Sequence, residues 1–257
     1  MDSIHIALLA GAGMLGGIVG VMVGGGAVVT IPALLATGVA PQSAIVCTLA
    51  SIAPAAMLAS LSDRSQLPPI NRAFLALILA SVIGAGMGAS LLVLTPERMF
   101  SQLIPLLVAF ATLLFAFSER ISNWLRRRAA GRGRDINFNI ASLLKALLPV
   151  SFYNGYFGAG AGIMLLGVFS LATGGDYRSA NVAKNFVASL NGMTATLVFA
   201  TQDAVLWPQT LALMLGTFAG GLIGAYVARV LPQRFVRVLV VLVGAGLTVG
   251  LARRYWF

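Results

Sequence analysis

The sequence is short of charge. Of its 257 residues only 9% are Asp, Glu, Lys or Arg, against roughly 25% in an ordinary soluble domain. A chain so poor in charge cannot cover itself with polar surface in water, which excludes a soluble globular protein. Disorder is excluded too, because it requires low hydrophobicity, and here 59% of residues are hydrophobic with a mean hydropathy of +0.94. The single cysteine, Cys47, excludes an intramolecular disulfide and any cysteine-rich metal site. With His5 the lone histidine, histidine-based metal or triad chemistry has no material either. No G-x-x-x-x-G-K-[ST] phosphate cradle occurs, so the chain does not read as an ATP-driven pump. Acidic residues are also missing from the apolar runs: Asp2, Asp63, Glu97, Glu119, Asp135, Asp176 and Asp203 lie outside them or at their edges. Cation and proton pathways usually use intramembrane Asp or Glu, so a cation substrate is disfavoured. No cofactor and no metal is expected, and without a nucleophile–base pair inside the spans an enzyme is not expected.

What is present is apolar sequence in span-sized pieces. A membrane helix needs about 20 apolar residues. Uncharged runs fall at 4–23, 26–37, 41–61, 73–94, 99–118, 143–174, 179–201, 206–228 and 235–252. The second is short, and the run at 143–174 is too long for one straight helix. Both are rich in glycine, so 4–37 reads as one broken or re-entrant unit with 143–174 as its counterpart. Met1-Asp2-Ser3 lacks the basic start of a cleavable signal, so the first run reads as a span.

The net charge of +10 is concentrated. Arg120, Arg126, Arg127, Arg128, Arg132, Arg134 and Lys145 cluster in one stretch, with Arg253 and Arg254 at the end. Basic residues beside spans mark the cytoplasmic side and suit anionic inner-leaflet lipid. Without interleaved aromatics to stack bases the cluster does not read as a nucleic-acid site. An even span count puts both termini on the cytoplasmic side with this loop, although Arg229, Arg234 and Arg237 would then flank an outer turn.

The two halves repeat. A gapless shift of 136 places Gly24 on Gly160, Gly26 on Gly162, Thr37-Gly38 on Thr173-Gly174, Ser43-Ala44 on Ser179-Ala180, Gly84 on Gly220, Pro96 on Pro232 and Arg98 on Arg234. The fold expected is an all-α integral membrane protein of about eight transmembrane helices in two duplicated four-helix halves, with glycine-broken helices near the midplane. The first repeat is 1–118, a basic cytoplasmic linker is 119–142 and the second repeat is 143–257. Four spans per half favour parallel repeats. Internal duplication is typical of secondary transporters, whose substrate sits between the repeats near the midplane.

Two features carry chemistry. The first is the pair of glycine clusters, Gly24-Gly25-Gly26 and Gly155 through Gly158, Gly160 and Gly162. Each glycine weakens a helix by about 1 kcal/mol relative to alanine. Unwound backbone at membrane depth survives only inside protein or beside a wet cavity, where N–H groups at a helix start favour an anion. Small residues also serve close helix packing, and for Gly84/Gly88 and Gly220/Gly224, spaced by four, packing is the better reading. The matched positions of the clusters favour broken helices. The second feature is Lys184, the one charge well inside a run. A charge there costs about 3 kcal/mol or more. Asn181, Lys184 and Asn185 stand at i, i+3 and i+4 on one helical face, where asparagines donate to oxyanion oxygens. With no buried carboxylate, the partner of Lys184 is an anion from outside; the competing reading is snorkelling to headgroups. Arg178 reads as interfacial, Cys47 as a small core residue, Pro54 as a kink, and Trp207, Tyr255 and Trp256 as interfacial aromatics.

Three motifs resemble one family. GGGAVVTIP in the first span, GYFGAGAG after the basic loop and A-N-x-x-K-N in the sixth span resemble the TauE/SafE sulfite exporters, over nearly the whole chain. The resemblance implies a bacterial inner-membrane exporter of small sulfur oxyanions, sulfite or a related sulfonate, that hydrolyses no nucleotide. By position it puts the substrate region at Gly24–Gly26, Gly158–Gly162 and the segment around Lys184. The second half departs from the first, with Val168 opposite Pro32 and Ala161 opposite Gly25. The function expected is a secondary transporter working by alternating access, with an anion-selective channel as the alternative. Its expected partners are the small anion, membrane lipid and a second copy of the chain as a homodimer.

Overall fold

The computed structural model describes residues 3–69, 71–130, 140–174, 176–227 and 233–256. Among them stand ten α-helices: α1 (Ser3–Val23), α2 (Gly26–Ala36), α3 (Pro41–Ser62), α4 (Arg72–Leu94), α5 (Glu97–Ala130), α6 (Ile140–Tyr156), α7 (Ala161–Ala172), α8 (Tyr177–Ala200), α9 (Trp207–Val227) and α10 (Gln233–Tyr255). Five segments are long and apolar enough to cross a membrane: Ile4–Met22, Pro41–Ser62, Arg72–Leu94, Glu97–Ile121 and Val238–Tyr255. The apolar helices α2 and α7 are too short. Their 11 and 12 residues reach about 17 Å, roughly half of a bilayer core.

Local chemistry sets the ends. Gly24, at φ 81°, stops α1, and Gly160, at φ 80°, immediately precedes α7; a left-handed backbone costs other residues about 1–2 kcal/mol. Pro41 opens α3, where its missing N–H has no helical partner to lose. The Asn71 side chain caps α4 by accepting from the Phe74 amide at 2.8 Å. Asp176 caps α8, accepting from the amides of Arg178 and Ser179. Hydrogen bonds from the side chain and then the backbone of Ser179 hold the Asp176 carboxyl below its ordinary range. Helix α5 continues through Arg120 to Ala130, so the start of segment 119–142 is helical. Arg132, Arg134 and Arg229 lie outside the described residues.

Packing follows the glycines. A Cβ on Gly84 would come within 2.7 Å of the Leu148 carbonyl oxygen, and one on Gly88 would run into the Phe152 carbonyl. Gly220 meets Met14 and Gly224 meets Ile18 in the same way. These residues seat α4 on α6 and α9 on α1, as their four-residue spacing predicts.

Helices α3 and α8, which the 136-residue shift superimposes, lie side by side and antiparallel. Gly192 sits on Ala53, Ser189 reaches Met57, and Arg178 reaches Asp63. The expectation of parallel halves is therefore corrected. At one face, Leu9 packs with Leu34, Ala44, Cys47 and Leu213, and the Trp256 indole donates to the Gln102 carbonyl at 3.0 Å. The start of α1 and the end of α10 are at this first face. At the second, Phe74, Leu77, Leu143 and Phe169 pack together, and Tyr177 donates to the Met22 carbonyl. The 34-residue α5 starts near the first face, and α6 starts at the second. The first break reverses the chain instead of kinking it, since Gly16 of α1 lies against both Gly26 and Thr30 of α2. That return makes α2 a helix of its own, where 4–37 was expected to be one broken unit.

Candidate anion-binding site

The two breaks meet inside the protein. A Cβ on Gly24 would fall 2.7 Å from the Gly162 Cα, and one on Gly162 would fall 2.6 Å from the Gly24 Cα. No side chain fits between them, so backbone lies on backbone. Beside this contact is a cavity of about 70 Å³, large enough for several waters or a small ion. Its walls are small residues, among them Gly17, Gly20, Ala53, Ala56, Ala188 and Gly192. The first residues of α2, Gly26 and Ala27, and Gly162 of α7 also line it. Amides in the first turn of a helix have no intrahelical acceptor, and here two such turns face one space.

Four polar side chains reach the cavity: Thr48, Asn154, Lys184 and Asn185. Lys184 is only 1% exposed, and its Nζ has no hydrogen-bond partner. An isolated buried ion costs several kcal/mol, so Lys184 in its charged form needs an anion beside it. Snorkelling does not describe a side chain buried this completely. Asn154 and Asn185, 7% and 4% exposed, are buried with it. The Thr48 hydroxyl is already engaged with that of Thr30 at 3.1 Å.

Six of the nine residues expected at the site therefore line one cavity: Gly24, Gly26, Gly158, Gly162, Lys184 and Asn185. Three do not. Gly25 precedes α2 and packs against the Phe115 ring. Gly160 supplies the left-handed turn before α7 and faces Leu114 and Ala111 of α5. Asn181 is one turn nearer the start of α8 and opens onto a second, wider cavity of about 540 Å³. Asp63 and Arg178 form the rim of that cavity, with Arg178 Nε 2.7 Å and Nη2 2.9 Å from the Asp63 carboxylate oxygens. This pair is solvent-exposed, which limits its worth to about 1 kcal/mol or less. Val21 and Asn185 line both cavities, so the wider one leads from the second face toward Lys184. Toward the first face, Leu49 joins a buried apolar cluster with Ile45, Phe157 and Phe199.

Sequence reasoning missed Asn154 and Thr48. Asn154 is four residues before Gly158, in the last turn of α6, and Thr48 is the 136-residue partner of Lys184. Either relation would have found them. No group of three or more His, Cys, Asp or Glu side chains that could hold a metal occurs among the described residues.

Comparison with known proteins agrees with a membrane transporter. The family model described as sulfite exporter TauE/SafE matches residues 9–251. The chain is 25% identical over 242 residues to the probable membrane transporter protein YfcA of Escherichia coli (strain K12), covering 90% of this chain and 84% of the relative. It is 25% identical over 246 residues to a probable membrane transporter protein of Haemophilus influenzae, covering 95% and 92%. The probable membrane transporter protein ORF9 of Sinorhizobium sp. is 27% identical over 249 residues, covering 96% and 92%. No solved structure matches the chain.

Proposed function

This chain belongs to the sulfite exporter TauE/SafE family, and from that premise we propose that it is a secondary transporter exporting a small sulfur oxyanion, sulfite or a related sulfonate, across the bacterial inner membrane. The observation that carries this reading is Lys184, a fully buried ammonium without a protein partner, lining a cavity between two helix breaks. The anion sits against Lys184, accepts from the amides of Asn154 and Asn185, and faces the first turns of α2 and α7. Each donor is neutral or positive, which suits an oxyanion and repels a cation.

Access alternates. We read 1–118 and 143–257 as duplicated halves joined by 119–142 and inverted with respect to each other; α5 runs on into the joining segment and α6 begins at its end. The antiparallel pairing of α3 with α8 supports this, as do the left-handed Gly24 and Gly160, and Gly38 and Gly174, each pair 136 apart. Inverted halves around a central site can exchange conformations, opening the site first to one face and then to the other. The wide cavity at the second face and the apolar cluster at the first correspond to one of those two states. The same cluster favours a carrier over a channel.

The test is protein-dependent sulfite flux in proteoliposomes, with and without an imposed pH gradient, against sulfate, thiosulfate, taurine and sulfoacetate. A carrier gives saturable flux reduced by competing substrate. Flux that never saturates and follows voltage alone replaces the carrier with an anion-selective channel. Flux of a competitor without flux of sulfite keeps the architecture and changes the substrate.

A further inference from the structure

We propose that the cavity beside Lys184 selects anions by valence, accepting those with one negative charge and turning away those with two. The inference rests on the reading of this cavity as the anion site. It deepens that reading to a substrate class: hydrogen sulfite and small sulfonate monoanions, and not sulfate or fully ionised sulfite.

Among the described residues, Lys184 is the one charged side chain lining the inner cavity. The other polar side chains there, Thr48, Asn154 and Asn185, are neutral. Titratable groups on the elements packed against α8 are engaged or lie elsewhere. Asp63 of α3 and Arg178 of α8 pair with each other at the outer rim. Cys47 of α3 packs in the cluster at the first face. Tyr153 of α6 donates to the Ala159 carbonyl, and Tyr177 of α8 to that of Met22. Arg64, Arg72, Lys145 and Tyr156 do not line the cavity. A monoanion next to protonated Lys184 therefore balances the formal charge of the side chains there, whereas a dianion exceeds it by one unit.

Scaling decides which is taken. The energy lost on removing an ion from water grows with the square of its charge, so a dianion gives up about four times as much as a monoanion of the same size. Attraction to Lys184 grows only in proportion, and merely doubles. The starts of α2 and α7 add partial positive charge, about half a unit each, and this attraction is linear as well. Every favourable contribution lags behind the desolvation loss as valence rises. With about 70 Å³ available, the dianion cannot bring its hydration shell along.

Methanesulfonate and sulfate separate valence from size, being alike in bulk and differing in charge. Calorimetric titration of the purified full chain in detergent should give methanesulfonate an affinity about tenfold or more above that of sulfate. Sulfite should bind more tightly below its second ionisation than above it. Asn185→Lys, which adds a second cation to the cavity, should raise the affinity of sulfate relative to methanesulfonate. Sulfate binding as tightly as methanesulfonate to the wild-type protein overturns the valence rule and leaves the anion site standing. Binding of none of the three anions overturns the anion site and the valence rule together. The wild-type comparison decides the matter even where Asn185→Lys does not fold.

Discussion

The two helix breaks share a backbone and differ in what hangs on it. Gly24 and Gly160 adopt the same left-handed conformation, φ 81° and 80°, and each precedes a half-length helix. The first break is nearly bare. Its approach along α1 presents Gly17 and Gly20 to the cavity. The corresponding positions of the second half are Tyr153 and Tyr156. The Tyr153 hydroxyl donates to the Ala159 carbonyl at 2.8 Å, fastening the second turn to α6, and its ring packs on Phe110 and Phe157. Asn154 stands where the first half has Ile18, Lys184 where it has Thr48, and Asn185 where it has Leu49. Two matching breaks create the space, and one half supplies almost all of its chemistry. Two similar breaks thus frame one asymmetric cavity.

The comparison can be broken first at the glycines. In Gly24→Ala the new methyl meets the Gly162 backbone, which cannot rotate away, and adopts a left-handed φ. Steric crowding plus backbone strain should cost about 3 kcal/mol or more. In thermal unfolding of the purified protein this lowers Tm by about 6 °C or more. Gly160→Ala suffers the same strain, but its nearest neighbour is the end of the flexible Leu114 side chain at 3.2 Å. Its loss should be smaller, about 1–2 kcal/mol. Equal losses at the two positions would mean that the breaks do not differ as described. Tyr153→Phe sharpens the comparison further. It removes one hydrogen bond, worth about 0.5–1.5 kcal/mol, from the second break alone. Hydrogen exchange of the amides at 157–162 should quicken while those at 24–28 stay unchanged.

The helices were easy to read from the sequence and their directions were not. Runs at 4–23, 26–37, 41–61 and 73–94 correspond to α1–α4 within a residue or two, because bilayer thickness fixes the length of an apolar run. Glycine at position 24 announces a break, but a positive φ does not say where the chain goes next. The return of α2 along α1 is decided by packing at Gly16, Gly26 and Thr30, contacts with no mark in the local sequence. Counting spans does not register this return, and so does not foretell that α3 and α8, matched by the 136-residue shift, run antiparallel. At the site, Lys184 was legible because a lone charge in an apolar run needs a reason. Asn181 looked equivalent to Asn185, yet one helical turn moves it from the inner cavity to the outer one. Asn154 was hidden among glycines and aromatics whose packing role is the commoner one.

One break carries the charge of the cavity and the other only the matching shape. Sulfite flux in proteoliposomes carrying wild-type, Lys184→Met or Thr48→Val protein tests it most directly. Methionine replaces a buried unpaired cation with an apolar chain of similar length, so folding should be retained or improved, which Tm and elution in detergent will show. The account predicts that Lys184→Met abolishes protein-dependent flux, while Thr48→Val, the change at the matching position, leaves saturable flux in place. A well-folded Lys184→Met protein that carries sulfite at the wild-type rate and with the wild-type KM would contradict it.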